Sequence, residues 1–221
     1  MSHNLLKIVV LISGSGSNLQ AIIDAISAGK LHAEIKAVIS NKPGAKGLER
    51  AKTAGITTHT VDHKQFNGRE DFDQALKQTI DQHQPELIVL AGFMRILTDE
   101  FVEHYAGRML NIHPSLLPQF RGLNTHQRAL DAGVKQHGVS IHYVSNELDG
   151  GPLVLQAVMD IKPDDSITSL QQRVHQLEHV IYPMVIEWVA EHRLEVIDDQ
   201  AYLDKQALTK PAKWINQQLI T

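Results

Sequence analysis

Four short apolar runs, KIVVLI, EIKAVIS, ELIVLAG and MLNIH, punctuate the first half of the chain, and an amphipathic stretch separates each from the next. Near-continuous apolar runs suit strands covered on both faces, which is the habit of parallel sheets flanked by helices. The pattern predicts strands at Lys7–Ile12, Ile35–Ser40, Thr58–Val61, Leu87–Ala91 and Met109–Ile112. It places helices at Asn18–Ala28, Lys46–Ala54, Arg69–His83 and Thr98–Tyr105. Such a strand–helix rhythm implies an α/β, Rossmann-like, mostly parallel twisted sheet with helices on both faces.

The second half changes character. A helix is expected at Thr125–Ala132, then two β-rich segments, Gly138–Val144 and Leu153–Ile161, separated only by SNELDGGP. Their proximity suits an antiparallel addition rather than another crossover. A long helix, Thr168–Glu191, follows, with Val174, Leu177, Ile181, Val185 and Trp188 as its inward stripe and Pro183 expected to kink or divide it. The last thirty residues read as a small hairpin and a polar tail. With no repeat or linker, the expected organisation is one domain over 1–204 and a tail over 205–221.

Composition narrows the chemistry. The chain has 221 residues and no cysteine, which excludes disulfides, thiolate catalysis and Cys-ligated zinc. A net charge of −4 gives no support for a nucleic-acid partner. No stretch approaches the roughly 20 apolar residues of a membrane span, so a cytoplasmic protein without a membrane partner is expected. His175 and His179, and His59 and His63, are spaced four apart, but no HExxH occurs, and no metal is expected.

Two stretches carry candidate chemistry. ISGSGSNLQAI sets Gly14 to Asn18 between the first strand and first helix, the turn that faces the ligand crevice of such sheets. Glycines admit an anion close to the backbone, and N–H groups at the helix start can hold it. Leu19 stands where a dinucleotide fingerprint needs its third glycine, and no P-loop Gly-Lys-Ser/Thr exists. Phosphate binding is favoured over NAD or ATP, with a plain tight turn and helix cap as the alternative. In RMLNIHPSLLPQF, Asn111 and His113 are two apart on a strand and project from one face, while Pro114 holds His113 out of helical angles. An amide donor beside an imidazole suits a reaction in which a carbonyl oxygen becomes an oxyanion. A carboxylate would help keep the imidazole charged, and Asp149 in the ELDGGP turn is the candidate. A strand end with a satisfied polar pair is the competing reading.

SGSGSNLQAI, LAGFMRIL, LNIHPSLLP and ELDGGP together resemble the phosphoribosylglycinamide formyltransferases, a family dependent on 10-formyltetrahydrofolate, in register from about Lys7 to Leu203. The resemblance implies the formyltransferase fold. It also implies formyl transfer from 10-formyltetrahydrofolate, as co-substrate, to the amine of phosphoribosylglycinamide in purine biosynthesis. It casts Asn111, His113 and Asp149 as the catalytic trio, with His113 handling the proton. It assigns Gly16, Ser17, Asn18, His175, Gln176, Leu177 and Glu178 to the ribonucleotide. It assigns Arg69, Met94, Arg95, Ile96, Leu97, Asn111, Ser145, Asn146, Glu147, Leu148 and Asp149 to the folate. Its partners would be these small molecules, the chain being a monomer or homodimer. The loop Gln119–Asn124 departs most from the family pattern, with Gln119, Arg121 and Asn124 where Lys, Pro and His are expected. A methionyl-tRNA formyltransferase would need a further C-terminal domain and a basic surface, a formyltetrahydrofolate hydrolase an N-terminal regulatory domain. A non-catalytic binder would not need the trio.

Overall fold

In the computed structural model, which describes residues 5–221, the first of two compact units runs to Asn111. In chain order it contains β1 (Leu6–Ile12), α1 (Ser17–Ser27), β2 (Ala33–Ser40), α2 (Lys46–Thr53) and β3 (Thr58–Thr60). Then come α3 (Arg69–Asp81), β4 (Leu87–Leu90), α4 (Asp99–His104) and β5 (Met109–His113), whose last two residues open the second unit. Ile8 to Ile12 are wholly inaccessible because β1 has parallel neighbours on both sides, β2 and β4. The strands lie side by side in the order β5, β4, β1, β2, β3, all parallel. The chain thus winds outward from β1 to β3, then returns to β4 on the other side of β1. With right-handed crossovers, that reversal puts α1 and α2 on one face and α3 and α4 on the other. It also opens a crevice at the carboxyl ends of β1 and β4. The expected elements are all present, with ends moved by a residue or two; β5 runs one residue further than expected, through His113.

The second unit, from Ile112, contains α5 (Thr125–Asp131), β6 (Gln136–Tyr143), β7 (Leu153–Asp160), α6 (Ile167–Ala190), β8 (Leu194–Ile197) and β9 (Gln200–Leu203). β6 and β7 pair antiparallel, as their spacing predicts, and α6 packs on both. β8 and β9 form the expected hairpin. Residues 205–221, read from sequence as a polar tail, carry three more strands, β10 (Gln206–Ala207), β11 (Ala212–Ile215) and β12 (Gln218–Ile220). β11 lies parallel to β7, and β12 folds back antiparallel on β11. Their few apolar residues gave no periodicity to read; an available edge of β7 supplies the backbone partners.

Helix α6 narrows one expectation and corrects another. It is one 24-residue helix, not divided at Pro183, which is buried within it. Losing a backbone bond at an interior proline costs about 3 kcal/mol or more. Burying each large apolar side chain returns about 1.5–3 kcal/mol, and Leu170, Val174, Ile181, Val185, Ile186 and Trp188 are all buried. The inward face also takes Glu178 where Leu177 was expected: Glu178 is 4% exposed, and Leu177 only half-buried. Among the described residues, no helix is long and apolar enough to cross a membrane.

Candidate active site

The glycine turn after β1 is shaped by backbone contact. Gly16 has φ +69°, and a Cβ there would lie 2.5 Å from the Cα of Gly47 in α2. The Gly47 N–H donates to the Gly14 carbonyl at 3.0 Å. Arg50 of α2 braces the same turn, donating from Nε to the Ser15 carbonyl at 2.9 Å. Gly16 caps α1 without a side chain, so the first-turn N–H groups lack intrahelical acceptors and face the crevice end of the strand. Ser17 and Asn18 begin the helix there. A helix start of this kind is suited to a small anion.

Sequence reading missed the polar pair behind this crevice. The Ser13 hydroxyl donates to Asn41 Oδ1 at 2.6 Å and accepts the Met94 N–H at 2.7 Å, tying the ends of β1 and β2 to the loop after β4. That loop leaves Met94 60% and Ile96 57% exposed, an apolar surface suited to a flat heterocycle. The Arg95 guanidinium sits 5.8 Å above the Phe72 ring. Arg69 opens α3; burial raises the Asp73 carboxyl from its ordinary value, against the Thr98 hydrogen bonds and the charges of Arg69 and Arg95, which lower it. Asp73 Oδ2 accepts the Thr98 N–H at 2.6 Å, holding the loop's far end.

In the second unit the imidazole and the carboxylate meet. His113 Nδ1 lies 3.5 Å from Asp149 Oδ2, both side chains 8% exposed. His113 Nε2 lies 3.0 Å from the Phe120 carbonyl. A carbonyl only accepts, so Nε2 carries a hydrogen, and Nδ1 faces the carboxylate. Asp149 Oδ2 also accepts the Gly122 N–H at 2.8 Å. Asn111 precedes His113 by two residues on β5, and its side chain projects to the same side.

The ELDGGP turn explains its own glycines. Asp149 adopts φ +50°, and a Cβ on Gly151 would stand 2.0 Å from the Tyr143 carbonyl, so the turn closes onto β6 only with glycine there. Of the other residues assigned to this segment, Glu147 pairs with Arg121, and Ser145 Oγ reaches the Glu147 carbonyl at 3.4 Å. Leu148 is exposed, as is Glu147, and Asn146 follows Ser145 in the same loop. The departing loop 119–124 is tied down by Arg128, which bonds the carbonyls of Arg121 and Leu123 and stands 5.6 Å from the Phe120 ring.

A further missed residue is His142, whose Nε2 lies 3.9 Å from Asp149 Oδ1 while Nδ1 meets the Tyr143 carbonyl at 2.9 Å. Burial lowers its basicity below that of a free imidazole. An imidazole in the apolar run of β6 was the sequence signal. On α6, His175, Gln176, Leu177 and Glu178 are consecutive and point in four directions, so one ligand can meet only part of the set. Only Glu178 is turned fully inward.

Two more imidazoles, His126 and His137, face each other at 3.1 Å, Nδ1 to Nε2. Burial holds each down at about 4, from 6.5; the charges of His175 and His113 add to this at His126, those of His126 and His113 at His137. The unfolded chain takes up these protons as pH falls through about 6.5, the folded chain only near 4. Stability is therefore full above the higher value and is lost progressively toward the lower. The thermal midpoint should drop between about pH 7.5 and 4.5, and less steeply in His137→Gln. Parallel curves for the two proteins would exclude this pair as the cause.

The four-residue histidine spacings do not mark a shared site in the first unit. His59 Nε2 meets His83 Nε2 at 2.9 Å, and His63 Nδ1 meets the Asn41 carbonyl at 2.7 Å. Among the described residues, no group of three or more His, Asp or Glu could hold a metal ion.

The chain matches the family described as Formyl transferase over residues 6–186. It is 54% identical over 203 residues to phosphoribosylglycinamide formyltransferase of Escherichia coli (strain K12), covering 92% of this chain and 96% of that protein. The enzyme of the same name from Haemophilus influenzae is 50% identical over 204 residues, with the same coverage. Among solved structures, phosphoribosylglycinamide formyltransferase of Coxiella burnetii superposes with a TM-score of 0.90 at 56% identity, covering 93% of this chain and 97% of that one. Strand order, the buried imidazole–carboxylate pair and these likenesses agree: the chain belongs to the formyl transferase family.

Proposed function

We propose that this chain is a phosphoribosylglycinamide formyltransferase. It transfers the formyl group of 10-formyltetrahydrofolate to the amine of 5-phosphoribosylglycinamide, giving formylglycinamide ribonucleotide and tetrahydrofolate in de novo purine biosynthesis. Likeness across nearly the full length of two curated enzymes of that name supports the reaction. The observation that carries the site reading is the buried His113–Asp149 pair at the end of the strand that bears Asn111.

10-Formyltetrahydrofolate supplies the one-carbon unit. The amine nitrogen forms a bond to the formyl carbon, the bond from that carbon to the folate nitrogen breaks, and one proton passes from amine to folate nitrogen. Asn111 donates to the formyl oxygen as negative charge gathers there. His113 supplies the opposing charge and holds a proton at Nδ1 against Asp149, whose second bond from Gly122 fixes the carboxylate. Gly16, Ser17 and Asn18 receive the phosphate of the ribonucleotide, and Glu178, with neighbours from His175 to Leu177, contacts the same substrate. Arg69, Met94 to Leu97 and Ser145 to Asp149 form the folate contacts, the exposed Met94 and Ile96 giving the pterin an apolar wall. The chain works on these small molecules in the cytoplasm, as a monomer or homodimer.

Incubation with 10-formyltetrahydrofolate, with and without the ribonucleotide, tests the reading. Tetrahydrofolate released only when the ribonucleotide is present is expected. Release without it would make the chain a hydrolase, and none under either condition would leave a binding protein.

A further inference from the structure

The turn that follows His113 is held by a chain of buried polar groups that ends on the C-terminal hairpin, beyond residues 6–186 matched by the family. The Ser115 N–H donates to the His113 carbonyl at 2.8 Å, and the Ser115 hydroxyl to the Gln119 carbonyl at 2.6 Å. The Ser140 hydroxyl of β6 donates to the Ser115 carbonyl at 2.7 Å and accepts the Leu117 N–H at 3.0 Å. The Gln156 amide of β7 donates from Nε2 to the Leu117 carbonyl at 2.7 Å and to Ser140 Oγ at 3.0 Å. The Lys213 ammonium of β11, placed by the register that pairs it with Gln156, donates to Gln156 Oε1.

Chemistry dictates the direction of every bond in this chain. The Ser115 and Leu117 carbonyls can only accept, and an ammonium can only donate. Gln156 must therefore turn its nitrogen to the turn and its oxygen to Lys213, and Ser140 must spend its single hydrogen on Ser115. Ser115, Ser140 and Gln156 are at most 3% exposed, so water cannot replace a lost partner. Without the ammonium, Gln156 Oε1 loses its donor, and the amide is held only at its nitrogen end, by the Leu117 carbonyl and Ser140 Oγ.

We infer that Lys213, Gln156 and Ser140 are positioning residues for His113, and that the hairpin β11–β12 is a working part of the catalytic half of the chain. The inference rests on His113 acting as proposed above. None of the three touches the reacting atoms; they act by fixing the backbone from His113 to Leu117, on which the distance from the imidazole to Asp149 depends.

The test uses the full-length chain with Lys213→Met, Lys213→Arg and Gln156→Met. Steady-state kinetics should show kcat down about fivefold in Lys213→Met and about tenfold or more in Gln156→Met, with both KM values within about twofold of the parent. Lys213→Arg, which restores a donor, should recover most of the loss. In spectra of protein carrying nitrogen-15 histidine, the His113 ring signals, identified with His113→Gln, should move in Lys213→Met while those of His59 and His83 stay. Should Gln156→Met fail to fold, Lys213→Met decides. Unchanged kcat with unmoved His113 signals in Lys213→Met would overturn the inference, as would a rise in KM alone or no recovery with arginine. A parent protein without formyl transfer would defeat the functional reading instead, and the ring signals would still decide whether Lys213 positions His113.

Discussion

Replacing His113 with alanine is expected to lower formyl transfer by about a hundredfold or more while the chain remains folded. Removing one donor from a developing oxyanion typically costs about 2.7–4 kcal/mol, and in the mechanism proposed above this imidazole supplies the charge that opposes the oxyanion. Asn111→Ala should fall in the same range through loss of its amide donor. The effect belongs in kcat rather than KM, because the charge being stabilised exists only in the transition state. Folding should survive: Phe120 loses a single hydrogen bond, and Asp149 keeps the bond from Gly122. Single-turnover rates with saturating substrates, beside circular dichroism, check this. Near-parental turnover in both variants would remove the pair from the mechanism.

Gly16→Ala should show the second-largest effect, and on two readouts at once. At φ +69° an alanine costs about 1 kcal/mol or somewhat more relative to glycine. Its Cβ would also meet the Gly47 Cα at 2.5 Å, backbone that can yield only if α2 moves. Overpacking of this kind costs about 1–3 kcal/mol, so a total near 2–4 kcal/mol and a fall in Tm of roughly 5–15 °C are expected. The shift of α2 would spread the turn proposed to receive the phosphate, so KM for the ribonucleotide should rise more than KM for the folate. Gly14→Ala is the control, since nothing lies within 4 Å of the added carbon. Equal stability of the two variants would mean that the contact with Gly47 does not shape the turn.

Much of the architecture was legible because burial leaves a period in the sequence. β1 reads as an unbroken apolar run because parallel neighbours flank it on both sides, and the antiparallel β6–β7 pair follows from the short segment between the strands. α6 was legible in extent and in four of its five inward positions, Val174, Ile181, Val185 and Trp188; Leu177 fits the apolar stripe, yet the packing turns Glu178 inward. Asn111 and His113 could be read as one unit, since two positions on a strand share a face. Asp149 could be named as a candidate from its glycine-flanked turn, but nothing local ties a loop carboxylate to a distant imidazole, and only the fold sets Oδ2 3.5 Å from His113 Nδ1.

What the chain determined unaided, then, was everything carried by side-chain type at short range: the alternation of strands and helices, the glycines at the turns, and the amide–imidazole pair. Tertiary structure alone decided the partners supplied by backbone, such as the Phe120 carbonyl on His113 and the Gly122 N–H on Asp149, since any residue presents those groups. It also decided the Ser13–Asn41 pair and the addition of β11 beside β7. Hydrogen bonds between residues distant in sequence leave no period to read, and they exist only once the chain has brought their ends within about 3 Å.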